Sequence, residues 1–192
     1  MELIGYIFLA VIAASLLYTI IGYNRFVTLN HNTQKAWRNI DILLKQRHDE
    51  IPKLVALCKA YMKHEQNTLE KVIAARSRVA AARETGDLAT LGLAEGALRA
   101  GLGQLFAVVE NYPELKANEN FRHLEQRITG LENAIADRRE FYNEAVNLNN
   151  IRLEQFPDVF IARLFDFRPF ELLSFTDQDT SDVPVSSLFQ AS

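Results

Sequence analysis

From Phe26 onward the apolar residues return every three or four positions: Phe26, Leu29, Trp37, Ile40, Leu44, Ile51, Leu54, Cys58, Tyr61, Leu69, Val72 and Val79. A recurrence near 3.5 residues marks a helix with one buried stripe, whereas a strand would alternate every second residue. The stripe predicts one long helix, or two nearly collinear ones, over about residues 25–84. Unbroken, it would reach roughly 90 Å at about 1.5 Å per residue. Thr85-Gly86-Asp87 supplies a stop, with Gly86 suited to a left-handed cap.

Leu88, Leu91, Leu98, Leu102, Leu105, Phe106 and Val109 form a second stripe and predict a helix over about residues 87–111. Gly92, Gly96, Ala100 and Gly103 recur within it at spacings of three or four. Glycine inside a helix costs about 1 kcal/mol against alanine, so these small residues point to close approach by a neighbouring helix, the alternative being a frayed or flexible helix start. Pro113 interrupts after Tyr112, because proline cannot continue a helix without losing a hydrogen bond. Asn118 is placed to cap a third helix, whose stripe is Phe121, Leu124, Ile128, Leu131, Ile135, Tyr142, Val146 and Leu153. Phe156-Pro157-Asp158 ends it, and VFIARLF starts a short amphipathic helix. Connections this short make successive helices antiparallel. The expected fold is therefore all-α, an antiparallel bundle of long helices. Its first helix is too long for the others to cover, so part of it is expected to stand off as a stalk or to pack against other copies.

Ahead of the bundle lies LIGYIFLAVIAASLLYTII, residues 3–21, with no charged side chain. Nineteen residues span roughly 29 Å, close to the bilayer's hydrocarbon thickness of about 30 Å. A secretory signal is the rival reading. However, MEL carries no lysine or arginine, the apolar run is long, and no small-x-small cleavage pattern follows. An uncleaved, single-pass transmembrane helix in the cell (inner) membrane is expected. Arg25, Lys35 and Arg38 follow the span and Glu2 precedes it, which places the body in the cytoplasm by the positive-inside rule. The expected division is an anchor over 1–24, the bundle over 25–170 and an acidic tail over 171–192. TDQDTSDVPVSSLFQAS has three acids and no base, a composition that favours disorder.

Composition agrees with helices: eight glycines and five prolines in 192 residues are few for an all-β chain. The single cysteine, Cys58, excludes an internal disulfide and a four-thiolate metal site. The net charge of −3 hides an asymmetry. Residues 25–84 hold 12 Lys and Arg against 6 Asp and Glu, and residues 85–192 hold 9 against 17. The bases of the first half are interleaved with acids and with the apolar stripe, and no aromatic-basic motif appears. The reading preferred over nucleic-acid binding is therefore attraction between the two halves on folding.

QRHDEIPKLV, residues 46–55, gathers the densest candidate chemistry. Arg47, His48, Asp49 and Glu50 are consecutive, so on a helix they fan over about 300° and do not converge. Pro52 cannot donate to the carbonyl of His48 and crowds it, which predicts a kink there, or a break with Asp49 capping the second segment, and a second kink at Pro113. Arg47 lies nearest the apolar stripe and needs a carboxylate from the third helix. Asn143 and Asn147, four apart, are expected to bond across to the first helix around His48 or Asp49. Arg47, His48, Asp49, Asn143 and Asn147 then read as a structural polar network that fixes helix register. The enzyme motifs are missing. There is no paired Glu-x-x-His of a di-iron bundle, no His-Glu-x-x-His, no serine elbow and no phosphate loop. His31, His48, His64 and His123 read as surface or network residues. No catalytic, metal-binding or cofactor-binding residue is assigned.

YNRFVTLNHNTQKAWRNIDILLKQRHDEIPKLVALCKAYMKHE, followed by LFAVVENYPELKANENFRHLEQRITGLENAIADRREFYNEAVNLNN and RLEQFPDVFIARLFDF, resembles the LemA family of bacterial membrane-anchored helical proteins. The blocks appear in the family's order, directly after a hydrophobic segment, and cover most of residues 23–170. Cys58, Met62, the Gly92–Gly103 region and the tail from about Thr176 lie outside the motifs. The resemblance implies a single-pass anchor and a long antiparallel helical body. The family has no established catalytic activity, so no catalytic residue is carried over. The expected function is a non-enzymatic scaffold or adaptor. Its partners would be the lipid bilayer and a protein partner or further copies of the chain, with no nucleic acid and no small-molecule substrate. Two alternatives remain. One is a membrane-bound metal-dependent hydrolase built on His48, Asp49 and third-helix carboxylates. The other is a membrane-remodelling protein that uses VFIARLF as an interfacial helix.

Overall fold

The computed structural model describes residues 1–174, and their regular structure is helical throughout. Its elements are α1 (Glu2–Tyr61), α2 (Gln66–Thr85), α3 (Leu88–Val109), α4 (Pro113–Ala117), α5 (Glu119–Glu154) and α6 (Asp158–Leu164). The all-α expectation holds. Most of the acidic tail expected over 171–192 lies outside the described residues.

The sequence signals act where they stand. Gly86 takes φ +71°, a left-handed conformation that favours glycine, and its N–H donates to Ala82 O. Asp87 caps α3 by accepting from the N–H groups of Ala89 and Thr90. Pro113 opens α4 at its first position, where a missing N–H costs nothing. Asn118 Oδ1 accepts from the N–H groups of Asn120 and Phe121 at the start of α5.

The chain divides into two compact units, one holding residues 1–45 and 133–172 and the other residues 46–132 with the segment from 173. In the first unit, α1 and α5 run antiparallel. Thr33 Oγ1 donates to Ala145 O, and Trp37 packs against Tyr142 with ring centroids 5.6 Å apart. Towards the N-terminus of α1, Phe26 forms a buried cluster with Ile161 and Ala162 of α6, and Leu153 and Phe167 pack on it. After α6 the chain returns along α5. Asn150 donates from Nδ2 to Phe170 O and accepts the Phe170 N–H on Oδ1, while Tyr142 donates its hydroxyl proton to Glu171 O.

The second unit corrects one expectation. Residues 25–84 form neither one helix nor two collinear ones, because α1 ends at Tyr61 and α2 folds back beside it. Arg76 of α2 bonds to His48 of α1, a pairing that requires reversal around residues 62–65. The stripe could not announce the reversal, since both helices keep the same period and Lys63-His64-Glu65 contains neither glycine nor proline. α2 then packs on α3, where Val72 Cγ2 would lie 3.5 Å from a Cβ at Gly101. A side chain at Gly101 would therefore meet α2 at ordinary contact distance, and Gly103, one of the residues expected to admit a close neighbour, faces open space. Ile51, Leu54, Cys58, Leu69, Val72, Leu98, Leu105 and Phe121 are buried in this unit.

Candidate functional site: a buried charge lock

Among the described residues Arg47 is the largest fully buried side chain, with 1% of its surface exposed. A guanidinium has five N–H donors and cannot shed its charge, so a buried one must be met by acceptors. Two carboxylates meet it. Glu95 of α3, 3% exposed, accepts from Nη2 at 2.5 Å, and Glu132 of α5 accepts from Nη1 at 2.6 Å. Among the described residues the Nε–H has no acceptor. One residue of α1 thereby bonds to two other helices. Burial lowers the Arg47 pKa, but the charges of Glu95 and Glu132 outweigh it and the group is held above its ordinary value. Burial pushes the Glu95 carboxyl up, Arg47 pulls it back, and the negative charge of Glu132 adds to the rise.

His48 sits one residue on, half-buried, and meets a cation. Arg76 Nε donates to the His48 carbonyl at 2.9 Å, and Arg76 Nη2 lies 2.6 Å from His48 Nε2. Arginine only donates, so Nε2 is the acceptor and the ring proton belongs on Nδ1. Burial and then the Arg76 charge hold the imidazole pKa below its usual value. The carbonyl that Arg76 caps is the one orphaned by Pro52, and α1 continues through Pro52 to Tyr61. Replacing the lost backbone bond from α2 lets the proline sit in the helix interior.

Asp49 is exposed. Glu50 is buried instead, and it pairs with Lys53 at 2.9 Å and with Arg127 of α5 at 2.8 Å. Asn143 and Asn147 belong to the unit of residues 1–45 and 133–172, and His48 and Asp49 to the other. Asn143 is half-buried and engaged, and Asn147 is exposed. Sequence reasoning asked for a third-helix carboxylate opposite Arg47, which Glu132 supplies, and it missed Glu95, Arg76 and the clasp of Asn150 on Phe170. The demand that Arg47 made for a carboxylate was the available signal, but nothing in one sequence ranked the acids of α3 and α5. Cys58 is buried and burial pushes its thiol up to about 12, far from a reactive thiolate. Among the described residues no three His, Cys, Asp or Glu side chains are gathered as metal ligands would be.

At the other end of the chain, α1 is apolar and exposed from Leu3 to Ile21, long enough to cross a membrane. A long apolar start joined to packed helices held by internal ion pairs defines a helical membrane protein with a charge-locked body. The family model described as "LemA family" matches residues 36–186, and the chain belongs to the LemA family. It is 27% identical to magnetosome proteins MamQ 1 and MamQ 2 of Paramagnetospirillum magneticum, over 88% of this chain and 70% of each relative. It is 23% identical to magnetosome protein MamQ of Magnetospirillum gryphiswaldense, over 85% of this chain and 68% of the relative.

Proposed function

We propose that the chain is a non-enzymatic scaffold, anchored in the inner membrane with its body in the cytoplasm, that self-associates through α5. The observation that carries this reading is a row of exposed large apolar residues, Phe141, Leu148 and Ile151, on the side of α5 away from Tyr142 and Val146. Seven- and three-residue spacings put the three within about 80° of one another, with Glu144 as the polar member of the row. Copies held by one span in the same bilayer share an orientation. Pairing along α5 is then parallel and in register, Leu148 against Leu148, as a two-fold interface requires. Confinement to a membrane raises the effective concentration and lets a small row suffice.

The charge lock supports the same reading from the other side. Arg47, Glu95, Glu50 and Arg127 are engaged in holding helices together, and His48 already faces a cation, where a metal would be repelled. The experiment is native mass measurement of the full-length chain extracted with its lipids. Wild type is expected as dimers or larger, and Phe141→Ser/Leu148→Gln/Ile151→Gln as monomers. Monomeric wild type would reject self-association. A second chain of different mass, lost in the triple variant, would replace it with an adaptor role.

A further inference from the structure

α6 carries an apolar face that the protein leaves open. Its buried side is Asp158, Ile161 and Ala162, turned onto α1. Phe156, Phe160, Leu164 and Phe165 are exposed, Phe160 by 61% and Leu164 by 72%. Four large apolar side chains on one short stretch exceed what scattered surface residues explain. A surface helix in water would turn polar residues outward, and on α6 the outward side is apolar apart from Arg163.

What lies beside α6 identifies the occupant. Tyr18 donates its hydroxyl proton to Asp158, whose carboxylate also meets Arg152. Gly22 lets Ile161 approach so closely that a Cβ there would fall 2.3 Å from Ile161 Cδ1. Pro157, Phe160 and Ile161 face Val11, Ala14, Ser15, Tyr18 and Thr19 across a shallow cavity of about 570 Å³. Those α1 residues run from the middle of the apolar segment towards its end, so α6 flanks the span itself. Immediately past the span, Arg25 and Arg152 line a second cavity of about 450 Å³ with Asn24 and Thr28. Two guanidiniums at that level match the phosphates of a lipid surface.

We infer that α6 and its aromatic flank lie in the bilayer, with Phe156, Phe160, Leu164 and Phe165 against acyl chains beside the second half of the α1 span. The protein then holds the membrane at two adjacent points, one spanning and one interfacial. The second contact resists rotation of α1 about its own axis and fixes which side of α5 faces along the membrane.

Full-length Phe160→Trp, in a Trp37→Phe background that removes the chain's one tryptophan, tests this in vesicles of phosphatidylcholine and phosphatidylglycerol. Lipids brominated on their acyl chains are expected to quench the introduced indole at least threefold, while aqueous acrylamide barely touches it. The reference is Ile42→Trp in the same background. Ile42 is exposed on α1 some 20 residues past the span, so bromolipid should leave it bright and acrylamide should quench it. Leu164→Trp repeats the test if the Phe160 variant loses its helicity. Quenching by acrylamide and not by bromolipid would put α6 in water. Protection from both would mean that protein covers it. Either result overturns the inference.

Discussion

Removing the Arg47 guanidinium should be among the most damaging single changes the body can suffer. Arg47→Ala leaves Glu95 3% exposed with no cation, so its carboxyl must either stay charged in the core or take up a proton there, and both cost stability. Breaking one partner out of a buried ion pair costs about 3–5 kcal/mol, because the survivor cannot reach water. Glu132 is 19% exposed and sits at the rim, where it can turn outward, so the loss belongs mainly to Glu95. Against a total stability of about 5–15 kcal/mol, that is a large fraction. With a urea slope of about 2 kcal/mol per molar, the unfolding midpoint should fall by roughly 1.5–2.5 M. Far-UV circular dichroism of the full-length chain in mild detergent follows it. Arg47→Met/Glu95→Leu removes both buried charges and should recover most of the loss, ending within about 1 kcal/mol of wild type. The two positions are then coupled, and the double change costs less than the sum of its two single changes. An Arg47→Ala cost below about 1 kcal/mol would be the value of a surface pair and would refute the argument from burial.

Three further outcomes are expected. Arg76→Ala strips the cap from the His48 carbonyl and should cost about 1–3 kcal/mol, whereas the same change in a Pro52→Ala background, where an amide returns to that carbonyl, should cost measurably less. Cys58 should resist maleimide in the folded chain at pH 7 and react once urea unfolds it, and rapid native labelling would contradict its burial. The His48 pKa lies lower folded than unfolded, so the unfolded chain binds the proton more readily and stability declines as pH falls from about 6.5 through the lower folded value. His48→Gln should flatten that part of the stability profile, and an unchanged slope would count against the Arg76 contact.

Periodicity and caps made much of the architecture legible. The stripe of α1 named the buried residues Phe26, Ile40, Leu44, Ile51, Leu54 and Cys58, and Gly86, Asn118 and Pro113 mark real ends. Direction was hidden. Apolar spacing carries phase along a helix but no sign, so α2 could be seen as a helix and not as one that doubles back. Partnerships were legible only as needs. Pro52 announced an orphan carbonyl, and Arg47 announced a missing acid. Arg76 and Glu95 lie 28 and 48 residues away from them on other helices, where only the packed structure assigns them. Near the C-terminus, Asn150 clasps the returning chain because its amide offers a donor and an acceptor with strand-like spacing, a use that helix propensity does not reveal.

The most direct test of the scaffold account is a crosslink in native membranes. Leu148→Cys places one accessible thiol in the middle of the α5 row, while Cys58 stays buried and silent. Mild oxidation should trap a disulfide-linked homodimer in high yield. Ile42→Cys, exposed in the same unit but off the row, should give little. Monomer alone from Leu148→Cys, or equal yields from the two positions, would contradict a specific interface between copies along α5.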